Sequence, residues 1–187
     1  MMIKKGTQHL ETQRLILRRF KPSDAKFMYK SWATDNEVCR FLSWNPHKDL
    51  SETEHIIKGW IKDYENDDKY NWVIELKDIS EVIGQISIMH FNEKYSSCSV
   101  GYNISRSFWG NGIMTEALKA VINYLFEEIG MNRIEARHNT QNPASGRVLQ
   151  KSGMKLEGIL RQVKVDKYGE FYDLAVYSIL KSDLRLQ

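Results

Sequence analysis

The chain has 187 residues, 42% of them hydrophobic and 27% charged, and its 27 Lys and Arg against 24 Asp and Glu leave a formal net charge of +3. At roughly 150 residues per domain this suits one domain, residues 1–187 with a core from about 12 to 180, large enough to bury a core without disulfides or metal. Membrane and nucleic-acid roles are excluded: no apolar run reaches the roughly 20 residues that span a bilayer, no signal peptide follows Lys4 and Lys5, and no dense basic stripe is interleaved with aromatics. Cys39 and Cys98 form no CxxC pair and the five histidines have no HExxH or Cys/His spacing, which points to a reducing, cytoplasmic setting and to no metal site. Charge is unevenly spread. Residues 1–50 carry 10 basic and 5 acidic groups, residues 51–130 carry 7 and 13, and residues 131–187 carry 10 and 6. Arg14, Arg18, Arg19 and Lys21 read as a solvated basic face, and Asp63–Asp68 as a solvated, fraying helix end.

In chain order, residues 14–20 (RLILRRF) predict a strand and Pro22 opens a helix reaching about Ala33. Ser51 to Glu54 has the S-x-x-E form of a capping box, and Ile56, Ile57, Trp60, Ile61 and Tyr64 line one face of the helix behind it. Tyr70–Leu76, Val82–Met89 and Cys98–Ser105 predict an antiparallel meander. Met114, Leu118, Val121, Ile122, Leu125 and Ile129 mark a long amphipathic helix stopped by Gly130, and a short strand follows at Ile134–Arg137. Asn142-Pro143 starts a helix that runs to Ser152, before strands at Met154–Ile159 and Phe171–Leu180. The expected fold is a mixed α/β (α+β) arrangement: a mostly antiparallel sheet of seven strands with four helices.

The segment from Ser105 to Glu116 joins a strand to a helix through Gly110-Asn111-Gly112. Glycines two apart let backbone turn tightly and approach a ligand, while the next helix offers unpaired first-turn amides and roughly +0.5 charge from its macrodipole. This is the chemistry of a diphosphate cradle. No Gly-Lys-Ser/Thr follows, and a third glycine is missing, so it is neither a Walker loop nor a dinucleotide fingerprint. Taken alone, the same spacing also describes an ordinary turn.

Eight segments together carry a resemblance. They are Thr12–Arg18 (TQRLILR), Asn71–Glu75 (NWVIE), Val82–Ile88 (VIGQISI), Val100–Ile104 (VGYNI), Phe108–Ala117 (FWGNGIMTEA), Asn142–Ser145 (NPAS), Lys151–Gly158 (KSGMKLEG) and Tyr172–Tyr177 (YDLAVY). From Thr12 to about Leu180 the chain resembles the ribosomal-protein N-acetyltransferase branch of the GNAT superfamily. The resemblance implies the GNAT fold, with a V-shaped splay in the sheet, and acetyl-CoA as cosubstrate. Its pyrophosphate would lie on the loop of Trp109, Gly110, Asn111, Gly112, Ile113, Met114 and Thr115, and its pantetheine arm against the backbone near Tyr102–Ile104. The superfamily loop is usually Gln/Arg-x-x-Gly-x-Gly/Ala; here Trp109, Gly112 and Met114 hold those places.

The resemblance also points to Ser145 and Asn142 as the catalytic residues, Ser145 as the group that protonates the CoA sulfur and Asn142 as a cofactor contact as well. The plainer alternatives are a first-turn serine bonding local backbone and a simple helix cap. The tyrosine that other relatives carry one turn later is replaced by Leu149, and two carboxylate positions of relatives hold Ser99 and Lys164. Glu75, Glu135 and Asp173 remain as candidate bases. A missing strong base favours α-amines: at pH 7.5 roughly a third of α-amino groups are neutral, against about one lysine in a thousand. Trp44, Tyr102 and His90 are candidate acceptor contacts, whereas Trp32 and Trp72 read as core. The expected partners are acetyl-CoA and a primary amine, foremost the N-terminus of a ribosomal or other protein. A small amine such as a polyamine or antibiotic, or a CoA sensor without activity, are the alternatives. Neither a monomer nor a homodimer is selected.

Overall fold

In the computed structural model, which describes residues 3–186, the chain opens with two short strands, β1 (Leu10–Glu11) and β2 (Leu15–Arg18). Helix α1 (Asp24–Met28) follows and widens into a π-turn over Tyr29–Ala33. Next come a single-turn helix, α2 (Asn36–Cys39), and α3 (Leu50–Asp63). The meander is β3 (Asn71–Leu76), β4 (Glu81–Asn92) and β5 (Ser97–Ile104). The second half comprises α4 (Ile113–Tyr124), which widens over Leu125–Ile129, then β6 (Arg133–Asn139), α5 (Pro143–Lys151), β7 (Lys155–Val165) and β8 (Phe171–Leu180). Eight strands form one sheet in the order β1-β2-β3-β4-β5-β6-β8-β7. The mixed α/β expectation holds, with one more strand and one more helix than the sequence suggests. These are β1 and α2, too short to carry a period of 2.0 or 3.6.

Alternation along the strands sends side chains into two layers. Leu15, Leu17, Trp72, Ile74, Ile83 and Ile86 pack against α4 through Leu118, Val121, Ile122 and Phe126. The opposite face packs Val73 and Val82 against Met28, Trp32 and Ile57 of the N-terminal helices. Trp32 and Trp72 are completely buried, as expected, and burial of such a ring contributes roughly 5 kcal/mol by area. Trp72 also donates its indole N–H to the Gln8 carbonyl at 2.7 Å.

Helix ends follow local chemistry. Gly130 takes φ 81° at the end of the α4 segment, the left-handed conformation that glycine adopts without strain. The start of α3 corrects the sequence reading: Asp49, not Ser51, is the N-cap, accepting from Glu52 N at 3.0 Å. Glu52 in turn accepts from Lys48 N at 2.8 Å. Asp caps at least as well as Ser, and here it lies one residue before the apolar face begins. The basic N-terminal group is also not a plain solvated face. Arg18 bonds Asp24 at 2.8 and 3.0 Å and Glu75 at 2.7 Å, while Arg19 donates to the Thr7 carbonyl at 2.9 Å.

The feature that positions the site is the meeting of β5 and β6, the only parallel pair among the described strands. Their pairing runs from Ser97↔Arg133 to Val100↔Ala136 and stops. Beyond it, β5 stays paired with β4 as far as Ile104↔Gly84, and β6 with β8 as far as Asn139↔Leu174. Each strand follows the twist of its own half-sheet. A V-shaped splay opens between them.

Candidate active site

The loop between β5 and α4 lies at the mouth of the splay. A short 3₁₀ turn, Arg106–Phe108, leads to Trp109, whose indole N–H donates to the Ile104 carbonyl at 2.9 Å. Gly110 and Gly112 have φ of 80° and 74°, left-handed values that cost a residue with a Cβ about 1–2 kcal/mol. A Cβ on Gly110 would meet nothing within 4 Å, so this side of the loop faces open space. The first helical bond of α4 is Glu116 N to the Gly112 carbonyl at 3.0 Å. By helix geometry, the amides of Ile113, Met114 and Thr115 therefore have no acceptor in α4. Gly110, Asn111 and Gly112 are exposed, whereas the side chains of Ile113 and Met114 are buried in the core. The bulk of Met114 thus fills the core rather than the cradle.

The inner edge of β5 supplies further main-chain groups. Ser105 N donates to the Ile83 carbonyl at 2.8 Å, so Ser105 faces β4. Alternation then turns the N–H and C=O of Tyr102 and Ile104 towards the splay. The Ile104 carbonyl is the one taken by Trp109. An edge of unpaired amides beside a helix N-terminus suits an extended amide chain that carries a diphosphate.

Across the splay stands α5. Asn142 caps it, accepting from Ser145 N at 3.3 Å, with Pro143 in the first turn as the sequence predicts. The Tyr102 hydroxyl lies 2.8 Å from Ser145 Oγ, where either oxygen can donate, and 3.1 Å from the Ser145 carbonyl, the other acceptor for its proton. Tyr102, read from the sequence as an acceptor contact, is thus brought together with Ser145. Burial pushes its phenol upward, only partly opposed by the hydrogen bond with Ser145. The next residue, Gly146, fits where it does because a Cβ would lie 2.8 Å from His138 Nε2.

The other candidates lie apart from this pair. Trp44 is half-buried against the N-terminal helical layer, its ring 5.1 Å from that of His47. His90 is exposed on β4 and pairs with Ser99, several residues along β5 from Tyr102. The candidate carboxylates are already engaged. Glu75 accepts from Arg18 at 2.7 Å, Glu135 from Arg133 at 3.1 Å and Arg137 at 2.7 Å, and Asp173 from Gln162 N at 2.8 Å. Leu149 is fully buried, and Lys164 lies on β7, paired with Tyr172. No cluster of His, Cys, Asp and Glu able to hold a metal occurs among the described residues.

One group at the cradle escapes sequence reasoning. Glu116, in the first turn of α4, accepts from Thr12 Oγ1 at 2.6 Å, Arg14 N at 3.0 Å and Arg14 Nε at 2.7 Å. Burial raises its carboxyl, but these donors outweigh that and hold it below the usual range. Arg14 also donates from Nη1 to the Asn111 carbonyl at 3.0 Å. The partners lie about a hundred residues apart in the chain, so no local pattern links them. Their only signal is that both sit in segments of the resemblance, TQRLILR and FWGNGIMTEA.

Comparison with known proteins gives a consistent result. A family model described as acetyltransferase (GNAT) domain matches residues 14–155. The chain is 35% identical over 172 residues to the uncharacterized N-acetyltransferase YoaA of Bacillus subtilis (strain 168), covering 92% of this chain and 96% of that one. It is 28% identical over 151 residues to the [ribosomal protein uS5]-alanine N-acetyltransferase of Escherichia coli (strain K12), covering 67% and 78%. Among solved structures, the ribosomal L7/L12 α-N-protein acetyltransferase RimL in complex with coenzyme A superposes with a TM-score of 0.82 at 21% identity, covering 92% of this chain and 98% of that one.

Proposed function

The chain belongs to the GNAT acetyltransferase family, and from that premise we propose that it acetylates the α-amine of a protein N-terminus, with uncharged amine and water in place of a strong protein base. Acetyl-CoA supplies the acetyl group as a thioester. The residues fit such a molecule: the amides of Gly112, Ile113, Met114 and Thr115 would hold its diphosphate, and the main-chain N–H groups of Tyr102 and Ile104 with the Tyr102 carbonyl its amide arm. Trp109 and Asn142 flank this path.

The chemistry assigned to the chain is proton control. The single Tyr102 proton has two acceptors in reach, the Ser145 carbonyl at 3.1 Å and Ser145 Oγ at 2.8 Å; when it is given to Oγ, the serine proton is free to be passed to a leaving thiolate. Burial keeps the phenol protonated and available for that support. Asn142 holds Ser145 N and so fixes the first turn from which the hydroxyl projects. The hydroxyl pair across the splay, 2.8 Å apart, is the observation that carries the reading.

The acceptor class follows from what the carboxylates do. Glu75, Glu135 and Asp173 each serve a neighbour, so the attacking amine has to arrive largely neutral. An α-amine near pKa 8 meets that need about two hundredfold better than a lysine near 10.4. Likeness to the uS5-alanine acetyltransferase supports the same choice. Trp44 and His90 are the proposed acceptor-side contacts. The cytoplasm is the proposed compartment: Cys39 and Cys98 are both free and buried, in keeping with a reducing environment. The test is thiol release from acetyl-CoA with matched peptides, one bearing a free N-terminus and no lysine, the other a blocked N-terminus and one lysine. Faster turnover of the first supports the proposal; faster turnover of the second overturns it.

A further inference from the structure

The Gly110–Gly112 loop has a weakness built into its composition. A peptide unit flanked by glycine can rotate as a plate between two turn forms at little steric cost, since glycine accepts φ of either sign. Rotation of the Asn111–Gly112 unit would carry the Gly112 N–H away from the ligand side and put a carbonyl oxygen there. A cradle that binds an anion through amides needs a means of preventing this.

We propose that Arg14 is a positioning residue that locks this peptide plane. Its Nη1 donates to the Asn111 carbonyl at 3.0 Å. In a trans peptide the C=O of residue 111 and the N–H of residue 112 point in opposite directions. Holding the carbonyl towards Arg14 therefore holds the Gly112 N–H away from Arg14, on the face that carries the amides of Ile113, Met114 and Thr115. Nη2 lies 3.7 Å from where a Cβ on Gly112 would be, so the guanidinium backs the glycine itself. The guanidinium is in turn fixed by Glu116, which takes Nε at 2.7 Å with one oxygen and the Arg14 and Thr12 donors with the other. Thr12 Oγ1 also accepts from Leu15 N at 3.0 Å, tying the clamp to β2. The pairing has an electrostatic side. Glu116 sits in the first turn of the helix that faces the diphosphate, and Arg14 offsets a charge that would otherwise repel it.

This inference rests on the reading of the loop as the acetyl-CoA diphosphate site. It predicts a defect in cosubstrate binding rather than in chemistry. Arg14→Met should raise the acetyl-CoA KM and the CoA Kd about tenfold, the range of one lost charge-assisted hydrogen bond, and leave kcat and the acceptor KM near wild type. Arg14→Lys separates positioning from charge. Its single ammonium can keep Glu116 but cannot also hold the Asn111 carbonyl, so it should show most of the same defect, and its retained ion pair makes it the safer variant for folding. Thermal melts accompany both. An unchanged acetyl-CoA KM in a folded Arg14→Lys protein overturns the proposal, as does full rescue by lysine of a defect seen with methionine. Failure of the wild-type protein to bind CoA overturns the underlying reading instead.

Discussion

The Tyr102 hydroxyl stands 2.8 Å from the Ser145 hydroxyl, joining the free end of β5 to the first turn of α5 across the splay. Neither strand nor helix needs this contact to form. At this distance the phenol can donate to the serine oxygen and support its proton from behind, the role proposed for it, which sets the first prediction. Ser145→Ala should lower kcat about 10²-fold, at the low end for loss of a general acid, with the acetyl-CoA KM changed by less than about threefold. Tyr102→Phe, which keeps the ring, should lower kcat about tenfold. Steady-state kinetics with varied acetyl-CoA measures both.

Gly112→Ala tests the cradle's backbone. At φ 74° a Cβ adds about 1–2 kcal/mol of strain, which for a chain of this size lowers Tm by roughly 2–8 °C. Acetyl-CoA protection against melting should shrink as well, because relief of the strain moves the Gly112 amide. Gly110→Ala has the same sign of φ, and a Cβ meets no steric clash at either position, so it should carry the strain penalty while keeping more of the CoA protection. Differential scanning with and without CoA distinguishes the two.

Activity should follow the ionisation of the acceptor. Without a protein base, kcat/KM rises tenfold per pH unit up to the pKa of the acceptor amine, about 8 for an N-terminus, and then levels. The rise should move when the acceptor's pKa is changed. Since burial raises the Tyr102 phenol above its ordinary value, the supporting proton is retained as pH climbs, and no fall in rate is expected below about pH 10. A rise that stays at one pH for amines of different pKa would reveal a titrating protein base.

Stability should respond to acid at a site remote from the cradle. Glu157 is held at about 2 against an ordinary 4.5, first by hydrogen bonding from Arg133, then from Ser178. A folded value below the unfolded one means that the contribution is complete above about pH 4.5 and disappears as pH falls towards about 2. The side chain is 42% exposed, so the effect should be no more than about 1 kcal/mol. Glu157→Gln should therefore melt slightly below wild type at pH 7, with the gap narrowing below about pH 4.5 and closing near pH 2, as followed by circular dichroism.

Elements that carry their own period or cap could be read from the chain: the meander, α4 with its glycine stop, and α5 with Asn142 and Pro143. Short elements could not. The two residues of β1 are a strand only because β2 pairs with them, and α2 is one turn capped by Asp35. Ser51 misled because two good caps lie two residues apart and the apolar face fits either. For the candidate site, glycine spacing exposed the loop, but not what braces it. Arg14 and Glu116, like Tyr102 and Ser145, meet only after the sheet has formed. An arginine in a basic cluster looks solvated until its partner comes from elsewhere in the fold.

The most direct test of the whole account is calorimetric titration of CoA into the folded protein. Saturable 1:1 binding, weakened about tenfold by Arg14→Lys, is the predicted result. No heat of binding at millimolar CoA, from protein whose melting transition is intact, would contradict it.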